Sequence, residues 1–297
     1  MSGTGRGFSA TIAAFAMWGA FPLYFHALYQ VSAFQVIAHR VLWSCVFVLI
    51  WMGLRGELPV LRTVMGNRGA LGRLVVTATL ITINWTVYVW AVITGHVVEA
   101  SLGYFTGPLV NVLLGVVLLR ERLTRVQWTA ILIAAAGVTY LGVMAGRPPW
   151  IALTLAFSFG TYGLLRKLVQ VEALPGLAVE TVVLVPFAVG YLLWCESAGS
   201  GAFTHLGPGI DALLIGSGPL TAIGLFLFAY GTRRLPYSTV GILQYIAPTG
   251  QLLCGVLAFH EPFEKVRATG FALIWIALLL YATEGLRLSR KQQRAFA

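Results

Sequence analysis

Charge is what this sequence has least of. Only 10% of its 297 residues are Asp, Glu, Lys or Arg, where a soluble domain carries about 25%. Acidic residues are the scarcer half, 10 against 20 basic ones. Cysteine is nearly absent. Cys45, Cys195 and Cys254 lie far apart, odd in number and without a CxxC pair, so they read as free thiols acting as small hydrophobes. His26, His39, His96, His205 and His260 are dispersed, and no HExxH occurs, so no metal site or cofactor is expected. No GxxxxGK[ST] loop is present, which excludes direct drive by ATP through that loop. Glu180 is the one carboxylate deep in an apolar run. Intramembrane chemistry on lipid-linked substrates needs clustered carboxylates, a metal set or an activated nucleophile. The chain is therefore not expected to be an enzyme.

What fills the sequence instead is apolar. Hydrophobic residues make up 58% of it, and the mean hydropathy is +0.83. Apolar runs reach the ~20 residues that a spanning helix needs, where barrel strands would be ~10 residues with alternation. The expected fold class is all-α integral membrane, with ten transmembrane helices near 8–28, 33–54, 71–93, 97–119, 125–145, 149–166, 175–196, 208–230, 237–259 and 265–283. The first run follows a single Arg6 and continues through polar-aromatic residues, unlike a cleavable leader.

The basic residues test the count. With the first residues in the cytoplasm, Lys and Arg divide 16 inside to 3 outside, the outer three being Arg147, Lys265 and Arg267, while Arg40 falls within a span. That asymmetry supports ten spans with both termini cytoplasmic. It also turns the net charge of +10 into a topology signal, and a nucleic-acid partner is not expected.

The chain repeats itself. Sliding residues 101–141 forward by 140 gives seven identities in 41 positions, among them Pro108 on Pro248, Gly115 on Gly255 and Glu121 on Glu261. Five spans is an odd number, so residues 1–145 and 146–297 form two halves of opposite orientation, interlocked as one membrane body. Such inverted repeats underlie alternating access in secondary transporters. Tyr104, Pro108, Asn111 and Gly115 line one helix face in steps of 4, 3 and 4, as do Gln244, Pro248, Gln251 and Gly255. Each helix thus presents polar groups and a proline kink on one side, facing protein or a water-filled cavity rather than lipid.

The same shift places Arg40 on Glu180. Arg40 either binds an anionic substrate group or caps backbone carbonyls. Glu180 either binds a cation or proton or reaches out to water. Asn84 and Tyr88, with Thr77 and Trp85 beside them, either line a cavity or join helices by hydrogen bonds. Trp18 and Tyr162 are further cavity candidates. Glu121 and Glu261 are expected to pair with neighbouring Arg122, Arg125 or Lys265 near helix C-termini. Gly103-xxx-Gly107 and Gly142-xxx-Gly146 fit helix packing and leave a homodimer open.

The stretch LLRERLTRVQWTAILIAAAGV, the proline-centred fourth and ninth spans and the two halves resemble the EamA-type drug/metabolite transporter superfamily. FAMWGAFPLYFHAL, VIAHRVLWS and INWTVYVWAV are similar to its RarD subfamily. The resemblance covers nearly the whole chain. It implies a multi-pass permease of the bacterial inner membrane that exports or exchanges small metabolites. It also implies a cavity among helices 1, 3, 4, 6, 8 and 9, with Trp18, Asn84, Tyr88, Tyr104, Asn111, Tyr162, Gln244 and Gln251 near its centre. Ser158-Phe159-Gly160 departs from a Trp-Gly pair of more symmetrical members. The sequence reading is thus a secondary transporter for a small amphipathic or aromatic metabolite, with Glu180 the candidate for proton coupling. A passive channel, a regulatory membrane protein and an intramembrane enzyme are the alternatives.

Overall fold

The structure is a computed structural model that describes residues 3–119, 123–169, 171–232, 234–235 and 243–295. It is helical throughout the described residues: α1 (Gly3–Gly19), α2 (Phe21–His26), α3 (Ala33–Leu54), α4 (Leu58–Gly66), α5 (Arg68–Ile93), α6 (Val97–Leu119), α7 (Arg125–Met144), α8 (Trp150–Leu168), α9 (Ala173–Ser197), α10 (Pro208–Thr232), α11 (Ile246–Leu253) with a π-helical turn at Cys254–Ala258, and α12 (Lys265–Ala295). Eight helices are long and apolar enough to cross a membrane. The sixth expected span coincides with α8, which is not one of the eight; Ser158, Gly160, Thr161 and the Arg166-Lys167 pair dilute it. The ninth coincides with the shorter apolar helix Ile246–Ala258 over its described part.

Local chemistry fixes the helix ends. Ser32 accepts from the Gln35 N–H and Asn67 from the Ala70 N–H, each relieving an orphan donor at a helix start. Thr124 and Gln127 close a reciprocal capping box at α7. One element was not foreseen. The expected loop at 55–70 contains α4, whose Leu61 and Val64 rest against Leu74, Val169 and Val179.

Glu261 corrects an expectation. It does not join Lys265: its two oxygens accept from the backbone N–H groups of Val97 (2.6 Å) and Val98 (2.9 Å), and it is buried. A carboxylate at a helix N-terminus meets both unpaired donors and the positive end of the helix dipole. Glu121, its mate in the repeat, lies outside the described residues.

The helix contacts come in exchanged pairs. α1 packs on α10 and α11, while α8 packs on α5 and α6; α3 packs on α10, while α9 packs on α5; α7 packs on α12. These contacts pair up under the 140-residue shift, whereas α4 on α9 and α6 on α12 touch without a counterpart of comparable extent. The largest core cluster, around Phe25, Leu28, Val36, Val92, Ile151 and Leu214, gathers the start of α3, α8 and α10 and the end of α5. This end, opposite to where α1 begins, is called distal here; the other is proximal.

Two close approaches depend on missing side chains. A Cβ on Gly218 of α10 would strike the backbone of Trp43 and Ser44 in α3, and one on Gly250 would come 2.9 Å from the Gly19 Cα. Gly103 is likewise used within the chain, against Ala152 and Leu155 of α8. Gly218→Val is expected to push α3 from α10 and cost about 2 kcal/mol by overpacking. Gly163→Ala, at an exposed position with open space around it, is expected to leave stability unchanged or slightly raised. Thermal unfolding of the two variants in detergent checks the contrast.

Candidate functional site

Arg40 is the first landmark. Its residue is 3% exposed, on the wall of α3 that meets α10. Nε donates to the Thr221 hydroxyl at 2.8 Å. The guanidinium carbon lies 4.1 Å from the Trp85 ring centroid, 5.3 Å from Phe25 and 5.7 Å from Phe21. Aromatic faces attract a cation most strongly where water is excluded. Among the described residues no carboxylate stands within 4 Å of Arg40, and its Nη1 is buried without a hydrogen-bond partner. The Tyr88 hydroxyl is buried and unpartnered too, with its ring edge-on to Phe25 and Tyr104. Arg40, Trp85 and Tyr88 therefore gather around Phe25, and among the described residues the arginine caps no backbone carbonyl.

Glu180 lies toward the proximal end and does not meet Arg40. It is 2% exposed. Oε1 accepts from the Thr77 hydroxyl at 2.7 Å and stands 3.8 Å from Arg166 Nε; Oε2 accepts from the Tyr162 hydroxyl at 3.4 Å. The cluster ties α5, α8 and α9 together. Arg166 counts in the sequence only as one more basic residue at a loop. It sits inside because Gly176 leaves room: a Cβ there would overlap the guanidinium. Arg166 donates through Nη2 to the Glu172 carbonyl at 3.3 Å, while Nη1 is buried and unpartnered. A glycine one turn before a buried acid was the signal available in the sequence.

Between the two charges lies a polar clamp. Asn84 Nδ2 donates to the Leu155 carbonyl and to Ser158 Oγ, both at 3.0 Å, and its Oδ1 accepts from the Tyr104 hydroxyl at 3.0 Å. The amide joins α5, α6 and α8 and is only 1% exposed. Of the two alternatives read from the sequence, the hydrogen bonds are those of a group that joins helices. Trp18 packs on Phe15 and Phe228 with ring centroids at 5.5 and 5.6 Å, and its carbonyl accepts from Gln251 Nε2 at 3.3 Å. Gln251 Oε1 is buried and unpartnered.

The remaining candidates separate from this group. Asn111 is exposed, with Oδ1 turned to the bare Cα of Gly160. Gln244 is partly buried beside Tyr245. Pro108 lies inside α6, whereas Pro248 falls in the first turn of α11 rather than mid-helix. The cysteines are free thiols, as read from the sequence.

The relatives of this apolar helical bundle make it a membrane transporter of the drug/metabolite kind. The EamA-like transporter family matches the chain twice, over residues 5–143 and 148–283. Uncharacterized transporter YojE of Bacillus subtilis is 45% identical over 94% of this chain and 94% of its own. Protein RarD of Streptomyces exfoliatus is 43% identical over 94% and 89%, and Protein RarD of Escherichia coli 37% over 98% of each. A solved structure described only as a crystal structure of protein superimposes with a TM-score of 0.60 at 21% identity, covering 97% of this chain and 98% of that one, and so shares the fold. The chain belongs to the EamA-like transporter family, as a RarD-type permease and a multi-pass protein of the bacterial inner membrane.

Arg166→Ala is expected to cost about 3–5 kcal/mol, because it strands the Glu180 carboxylate without its cation. Adding Glu180→Gln should recover part of that loss, since a neutral amide keeps the Thr77 and Tyr162 hydroxyls as partners. Unfolding midpoints of the two single variants and the double variant, in one detergent, measure the coupling.

Proposed function

We propose that the chain is a secondary transporter that moves a small amphipathic or aromatic metabolite bearing an anionic group, by alternating access between two inverted five-helix halves, 1–145 and 146–297. The observation that carries this reading is Arg40: a buried guanidinium in an aromatic box, with no carboxylate beside it and one nitrogen unpartnered. A charge costs about 2.5–3.5 kcal/mol in a membrane span on insertion scales, and a transient anionic ligand would offset it. The aromatic walls suit an apolar body attached to that anion.

The exchanged helix contacts support the inverted halves, and the Lys and Arg distribution supports the ten-span topology with both ends cytoplasmic. Arg40 of α3 meets a hydroxyl of α10, and Glu180 of α9 meets a hydroxyl of α5. The two residues are repeat mates, so one arrangement recurs with opposite charge toward opposite ends. Rocking of the halves against each other would open each end in turn. In this state the distal end is packed by the main core cluster. Glu180 is the proposed proton carrier: protonation would remove its attraction to Arg166 while its hydroxyl partners remain.

Counterflow in proteoliposomes tests the reading, with a panel of aromatic and acidic metabolites. Saturable, trans-stimulated exchange is expected for the wild type. Arg40→Ala should reduce it roughly 10–100-fold, the range of one lost charge-assisted hydrogen bond. Glu180→Gln should keep exchange and lose net uptake driven by a pH gradient. Flux that rises linearly with concentration and ignores the trans side would replace the carrier with a channel.

A further inference from the structure

A cleft of about 320 Å³ opens near the distal end between α3 and α9, lined by neither Arg40 nor Trp85. Gln35 holds its roof. The amide donates through Nε2 to the Ser200 carbonyl at 2.8 Å, and its Oε1 accepts from the Ala202 N–H at 2.9 Å, which ties the 200–204 loop across the top. His39 and Trp43 lie about one and two turns further along the same face of α3 and form one wall. Phe203 leans on the His39 ring with centroids at 5.1 Å. Val189, Leu192 and Leu193 of α9 form the other wall. Leu193 is 65% exposed, so the cleft opens sideways onto the hydrocarbon and not only upward.

Two buried polar atoms of these wall residues have no partner: His39 Nδ1 and Trp43 Nε1, with His39 only 5% exposed. The indole nitrogen donates and never accepts, so what is missing opposite Trp43 is an acceptor. A donor left unpaired in an apolar setting is costly. At the mouth stands Glu196, exposed, with Oε1 2.7 Å from His205 Nε2. No Lys or Arg occurs between Lys167 and Arg233, and the mouth therefore carries negative charge with no fixed cation from this half of the chain. From Gln35 to Trp43 is eight residues, a drop of about 12 Å along the helix.

The occupant that fits has an apolar body open to the bilayer, a cationic head at the surface and an acceptor oxygen about one to two helical turns below it. We propose that this cleft binds one diacyl phospholipid with a primary ammonium headgroup, of the ethanolamine kind. An acyl chain lies between α3 and α9, an ester carbonyl accepts from Trp43 Nε1, and the ammonium meets Glu196. Phosphatidylglycerol lacks the cation, so its headgroup would bring a net negative charge to the acidic mouth. Phosphatidylcholine carries a positive head without N–H donors. The proposal concerns a wall of the protein and is independent of the transport reading.

Native mass spectrometry of the delipidated full chain, titrated with dioleoyl phosphatidylethanolamine, phosphatidylglycerol or phosphatidylcholine, tests it. One phosphatidylethanolamine molecule is expected to bind in preference to the other two. Trp43→Phe should weaken that binding roughly 5-fold and Glu196→Gln roughly 10-fold, as expected for one neutral and one charge-assisted hydrogen bond. Val189→Trp, which fills the cleft, should abolish it, while Phe187→Trp on the exposed surface of α9 should not change it. If Val189→Trp does not purify as a monodisperse protein, the Trp43 and Glu196 variants decide. Equal binding of all three lipids, preference for phosphatidylglycerol, or adducts unchanged in the Trp43→Phe and Glu196→Gln variants would each overturn the proposal.

Discussion

A polar group surrounded by lipid has no water to fall back on, and each must find its partner inside the protein. The structure follows from that constraint. Asn84 spends its donor and acceptor capacity on three partners from α6 and α8. Glu261 spends both oxygens on the start of α6. Gln35 spends its amide on the loop after α9. These contacts link helices far apart in the chain, so satisfying side chains and assembling the bundle are one event.

Against that background the unsatisfied atoms stand out. Arg40 Nη1, Tyr88 Oη, Gln251 Oε1 and Arg166 Nη1 are buried without partners. They fall in the aromatic box around Arg40, at the contact of Gln251 with Trp18 and in the Glu180 cluster. A transporter needs groups of this kind, because a site whose polar atoms are fully paired has no hydrogen bonds left to offer a ligand. Glu180 differs from Arg40 in this respect. It is surrounded by a cation and two hydroxyls, which suits a switch between two protonation states better than a binding surface.

The exchanged packing of the helices gives this pattern its geometry. α3 carries Arg40 to α10, and α9 carries Glu180 to α5. Glycines set how close the pairs come: Gly218 admits α3 to α10, and Gly176 admits Arg166 to α9. Replacing either by a larger residue would move the charged groups as well as the helices, which couples packing to chemistry at the same positions.

The sequence by itself determined that the chain is a bundle of apolar helices, where most of the long helices begin, and that Arg40 and Glu180 are the two exceptional charges within it. Composition and the Lys and Arg pattern carry that information locally, and the caps at Ser32, Asn67 and Thr124 are written within four residues. The family, too, was legible in motifs such as VIAHRVLWS. What only the tertiary structure decided is who partners whom. Nothing local says that Arg166 turns inward to Glu180, that Glu261 caps a helix 164 residues away, or that Asn84 meets Ser158 and Tyr104. Nor does it say that Asn111 would face outward while Arg40 closes among aromatic rings. Those pairings join side chains on different helices, and their geometry depends on crossing positions set by small residues and by the whole core at once. The sequence lists the polar groups that need partners; only the packed bundle brings those partners within hydrogen-bonding distance.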